Sequence, residues 1–123
     1  MNQSLNNEQQ ALNNLRVDVE DMMQSVLSQL ARAQESLSTC DKDLAQEILS
    51  IEKKINSMDL RIDKACESIL ALYNPLAINL RFTLAVLNIS TQLERIADHA
   101  SDIAEYIDDA ATSSRFRIRR TED

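Results

Sequence analysis

The chain is 123 residues long, enough for one domain, and sets 13 Lys and Arg against 20 Asp and Glu for a net charge of −7. It has no glycine, one proline, no tryptophan and 3% aromatic residues, which excludes turn-rich β folds and every glycine-rich phosphate loop. The acidic balance excludes nucleic acid as a partner, since phosphate neutralisation needs a basic surface.

The remaining composition, 44% apolar, suits a helical bundle, and three patterns account for nearly all of it. The opening MNQSLNNEQQ has neither the basic start nor the apolar run of a signal peptide. With only Cys40 and Cys66, reduced thiols and a cytoplasmic location are expected. Leu12, Leu15, Val19, Met22, Val26, Leu30, Ala33 and Leu37 recur at spacings of three and four, the buried stripe of a first helix. Ser38-Thr39-Cys40-Asp41 interrupts it, and Asp41 is placed to cap a second helix. The second stripe runs Leu44, Ile48, Ile51, Ile55, Met58, Ile62, Ala65, Ile69 and Leu72. Asn74-Pro75 ends it, because proline keeps the preceding residue out of helical geometry and suits the first position of a new helix.

A third helix is expected from about Pro75 to about Asp109. The most apolar stretch, residues 69–90, contains Asn74, Pro75, Asn79 and Arg81 and so does not read as a membrane span. Long helices joined by a few residues force antiparallel neighbours. The expected fold class is therefore all-α, an up-down-up three-helix bundle over residues 1–110. Residues 111–123, with Arg115, Arg117, Arg119 and Arg120, are expected to form a flexible basic tail.

The first half of the third helix is apolar nearly all round, with Leu76, Leu80, Leu84 and Leu87 on one side and Phe82, Val86 and Ile89 on the other. A helix in a three-helix bundle buries only part of its circumference, so the surplus points to a partner: a second copy or a further piece of chain. A loosely covered helix is the plainer alternative. The second half carries Glu94, Asp98 and Asp102 four apart, so their carboxylates stack on successive turns and repel. Asp59 and Asp63 repeat the arrangement on the second helix, flanked by Arg61 and Lys64. Two such pairs on adjacent helices make an all-oxygen site for a hard or borderline cation, while a solvated acidic face is the simpler reading of the same residues. His99, the one histidine, has no zinc-ligand partners at the usual spacing, and no nucleophile with an ordered base is discernible, so no enzyme is expected.

The run Asn74-Pro75-Leu76-Ala77-Ile78-Asn79-Leu80-Arg81-Phe82, with Leu93-Glu94-Arg95-Ile96-Ala97-Asp98 and Asp102-Ile103-Ala104-Glu105 after it, resembles the PhoU family of phosphate-signalling regulators. The likeness covers roughly residues 10–107. It implies a three-helix repeat whose second and third helices bind clusters of metal ions, with Asp59 and Asp63 matching one acidic motif and Glu94 and Asp98 the other. Asp102 stands where many members have Asn, Ala97 where Gly is common and Asn79 where Asp is common. Members usually contain two repeats and this chain has one, which makes a homodimer the expected assembly; a fragment whose tail begins a second repeat is the alternative.

The resemblance further implies a metal-binding adaptor, loaded with Fe, Zn, Mn or Mg, between the phosphate ABC transporter and a sensor histidine kinase. The partners would be the transporter ATPase or the kinase, with membrane association only through them. The alternative is a cytosolic accessory domain of a phosphate transporter, acting as a helical interaction module without metal.

Overall fold

A computed structural model describes residues 2–113. Within them the chain forms three helices, α1 (Asn2–Thr39), α2 (Lys42–Tyr73) and α3 (Ala77–Ser113), and no strand. Each is on the order of 50 Å long. None is long and apolar enough to cross a membrane.

The polar start of α1 is helical for a local reason. Gln3, Gln9 and Gln10 each donate a side-chain hydrogen bond to the Asn four residues on, at 3.0–3.1 Å, bridging successive turns. Asp41 caps α2 as expected, its carboxylate accepting from the backbone amides of Asp43 at 2.9 Å and Leu44 at 3.4 Å. Asn74 ends α2 in the left-handed region, the usual helix-stop geometry and one that Asn tolerates better than most residues.

The third helix starts two residues later than expected. Pro75 lies buried in the connection, and Ala77 still has φ 50°, so regular helix is entered only beyond it. At its far end α3 runs to Ser113, past Asp109, so the first three residues of the expected tail are helical. Arg115, Arg117, Arg119, Arg120 and the rest of that tail lie outside the described residues.

The core has two parts. The larger joins Leu12, Leu15, Val19, Met22 and Val26 of α1 to Ile55, Met58, Ile62, Cys66 and Ile69 of α2 and to Val86, Leu93 and Ala97 of α3. The smaller is built from Ala33, Ala45, Ile48, Ala100, Ala104 and Ile107. Between them sits Gln29, wholly buried. Its Nε2 donates to the carbonyls of Ile48 (3.4 Å) and Ala97 (3.3 Å) and to Ser101 Oγ (3.3 Å), touching both other helices.

Several expected core positions are thereby revised. In α1 the buried series continues through Gln29, Ala33 and Ser36, leaving Leu30 and Leu37 exposed. In α2, Ala45 and Cys66 are buried where Leu44 and Ala65 were expected to be, and Leu72 is exposed. In α3, Ala97 and Ala104 are buried, while their neighbours Ile96 and Ile103 stand out at the edge. Apart from Cys66 with Ala65, and Leu72, the cause is common. Small residues and one amide let the backbones approach, so the larger neighbours are displaced to the flanks.

Candidate metal centre

The seam between α2 and α3 gathers the carboxylates. Asp59 and Asp63 are half-buried on α2, as is Glu94 on α3, while Asp98 and Asp102 are exposed. Across the seam Asp59 acts electrostatically on Glu94, as does Asp98, its neighbour on α3. Asp102 is not among the groups acting on Asp59 or Glu94. Glu94 thus feels both Asp59 and Asp98 at the seam, with Asp63 beside Asp59 on α2.

Two further residues belong to that region. Glu52 of α2 is half-buried; Ser101 and Asp98 of α3 both act on its carboxyl, which also feels Glu105 and Glu94. Ser101 is buried and is the same hydroxyl that accepts from Gln29. Ser101 thus stands between the core amide of Gln29 and the carboxyl of Glu52 on which it acts. Glu52 lies one heptad before Asp59, the interval that keeps two residues on one edge of a bundle helix. That interval was the available signal, and attention to four-residue pairs alone passes over it.

Glu52, Asp59 and Glu94 resist ionisation. Burial holds the carboxyl of Glu52 above its ordinary range, its bond from Ser101 opposes this, and the bond and charge of Asp98 add to it. Burial also raises Glu94, with hydrogen bonding and charge from Asp98 and then the charges of Asp59 and Glu52 adding to it. Asp59 is raised by burial and by Asp63. Asp98 thus favours the protonated forms of both Glu52 and Glu94.

No basic side chain relieves this crowding through either cross-helix ion pair. Arg61, expected beside Asp59 and Asp63, instead reaches Asp18 of α1 at 3.9 Å, and Arg32 pairs with Glu47 at 3.2 Å. The donor set is all oxygen and suits a hard or borderline cation. As placed, no three His, Cys, Asp or Glu side chains among the described residues stand close enough to hold an ion. Burial, then Asp63 and Glu67, push the Cys66 thiol up to about 11, so without a metal it stays protonated at neutral pH.

A long three-helix chain with carboxylates crowded along one seam is the class of protein these features define. A family model, the PhoU domain, matches residues 19–107, and the chain belongs to that family. It is 36% identical over 91 residues to a phosphate-specific transport system accessory protein PhoU homolog of Thermotoga maritima, covering 74% of this chain and 39% of that one. The PhoU accessory protein of Escherichia coli is 35% identical over 92 residues, covering 75% and 38%. A homolog from Archaeoglobus fulgidus is 41% identical over 66 residues, covering 54% and 34%. The chain thus spans about two fifths of the length of the curated relatives it matches. No solved structure matches it.

Proposed function

We propose that the chain is a PhoU-type regulator of phosphate uptake and phosphate-starvation signalling, working in the cytoplasm as a non-enzymatic adaptor between a phosphate transporter's ATPase and a sensor histidine kinase. The relatives' names, phosphate-specific transport accessory proteins, support the transporter side of this reading. In it the three helices run up-down-up. Support for that order comes from pairs that run in opposite directions along α1 and α2 (Asp18 with Arg61, Arg32 with Glu47) and in the same direction along α1 and α3 (Glu8 with Asn79, Gln29 with Ser101).

The observation that carries the metal part is the meeting of Glu52 and Asp59 with Glu94 and Asp98 across two helices, with neither cross-helix arginine spent on them. In this reading Asp59, Asp63, Glu94 and Asp98 hold the ion, Fe, Zn, Mn or Mg, and Asp102 serves the outer rim. Glu52 and Ser101 orient the site from the core side. A bound cation cancels the repulsion and ties α2 to α3. Half-buried and exposed side chains at a helix edge reach a shared ion by rotamer changes, without a helix moving. Two copies of the chain associate.

One observation favours a second reading, a metal-free interaction module within a phosphate transporter: no three donors converge as the side chains stand. Affinity capture from phosphate-replete cells separates the two. The adaptor reading expects the transporter ATPase or the kinase to be retained by wild type, and lost with chelator or with Asp98→Ala. Retention indifferent to both supports the metal-free module, and retention of neither partner contradicts the adaptor role.

A further inference from the structure

The seam between α1 and α3 is the chemical opposite of the acidic one. On the α1 side Met23, Leu27, Leu30 and Leu37 are exposed by 38–69%. On the α3 side Ile89, Ile96, Ile103 and Tyr106 are exposed by 38–75%. Contacts close the seam at both ends. Arg16 lies over the Phe82 ring, 5.3 Å from its centroid, and Leu37 faces Ile103 and Tyr106 across a cleft of about 360 Å³.

Charge is nearly absent from this face. Steps of seven from Leu27 and Leu30 along α1 meet Glu20, Gln34, Arg16, Met23 and Leu37; steps from Ile96 and His99 along α3 meet Phe82, Ile89, Ile103, Ala85, Gln92 and Tyr106. In a chain with 20 carboxylate side chains, Glu20 is the one that falls on these columns between residues 13–37 and 82–110.

We propose that this α1–α3 face is where a second copy of the chain packs, two-fold and self-matched. The proposal deepens the two-copy reading above by naming the surface, and moves it from the start of α3 to the length of the seam. Three considerations favour a second copy as the occupant. Two bodies of net charge −7 repel, and this is the side on which they can meet with hardly a carboxylate opposed. A protein of strong charge of either sign finds almost nothing here to read, whereas an identical uncharged face matches itself, as a two-fold interface requires. The columns run about 30 Å along two adjacent helices together about 20 Å wide. That gives roughly 600 Å² on each copy and roughly 1,200 Å² in all, the threshold of a specific, stable interface.

Light scattering on the full chain over a range of concentrations, with circular dichroism to follow helix content, decides the matter. Wild type is expected at twice the 13.9 kDa chain mass. Leu27→Asp with Ile96→Asp is expected to keep its helix content and fall to one chain mass, its dissociation constant raised about 100-fold or more by charges buried without partners. Leu60→Asp, at an equally exposed position on α2, is expected to leave the dimer unchanged. A wild type that stays at one chain mass, alone or while retaining some other protein, overturns both this face and the two-copy reading. A dimer that survives the double variant, or breaks with Leu60→Asp, overturns this face alone.

Discussion

A chain without glycine has to reverse direction using residues that carry a Cβ, and among the described residues three sit at positive φ: Cys40 at 53°, Asn74 at 45° and Ala77 at 50°. Asn bears this geometry most easily, while Cys and Ala are held there against a cost of about 1–2 kcal/mol. Cys40→Gly is therefore expected to stabilise the fold by about 0.5–1 kcal/mol in chemical denaturation, after the extra entropy of the unfolded glycine is deducted. Gln29 makes a second case. Its Nε2 has three acceptors but its Oε1 is buried with no partner. Gln29→Leu, which fills the same space and removes the orphan oxygen, is expected to change stability by less than about 1 kcal/mol. Gln29→Ala, which opens a cavity, is expected to cost about 2–3 kcal/mol. Asp41 was legible as a cap from its type and place. Gln29 was not, because a polar side chain in a stripe looks like an interruption until its partners on the other helices are known.

At the level of the helices, the three-four alternation was enough to place all three and most of their buried faces. It did not settle which of two neighbouring apolar residues goes inside. Leu72 closed a regular stripe on paper yet is 73% exposed, whereas Ile62 is wholly buried. Ile62→Ala is expected to cost about 2–5 kcal/mol and Leu72→Ala within about 0.5 kcal/mol, measured by the same denaturation experiment. The facing edges of α2 and α3 also impose a pH dependence. Glu52, Asp59 and Glu94 hold their protons more tightly folded than unfolded, where the ordinary values are 4.5 for Glu and 3.8 for Asp. Their contribution to stability is complete below those ordinary values and is lost as pH rises through the raised folded values. Metal-free protein is thus expected to melt higher just above the ordinary carboxylate range than at neutral pH. Asp98→Asn, which removes the shared charge, should flatten the trend.

For the molecule as a whole, each pair of helices makes a seam of distinct chemistry. Polar contacts and two ion pairs lie between α1 and α2, carboxylates between α2 and α3, and an uncharged apolar strip between α1 and α3. The acidic motifs were visible in the sequence as pairs four apart. The joining of Glu52 to them follows from how α2 and α3 are turned toward each other, which no single helix records. The most direct check on the central claim is thermal melting of the full chain with Fe, Zn, Mn or Mg against chelator. At a free ion concentration about 100 times the dissociation constant, wild type should gain about 2.7 kcal/mol and Asp98→Ala little or none. Melting curves of wild type that coincide with and without all four metals would contradict a cation between these helices.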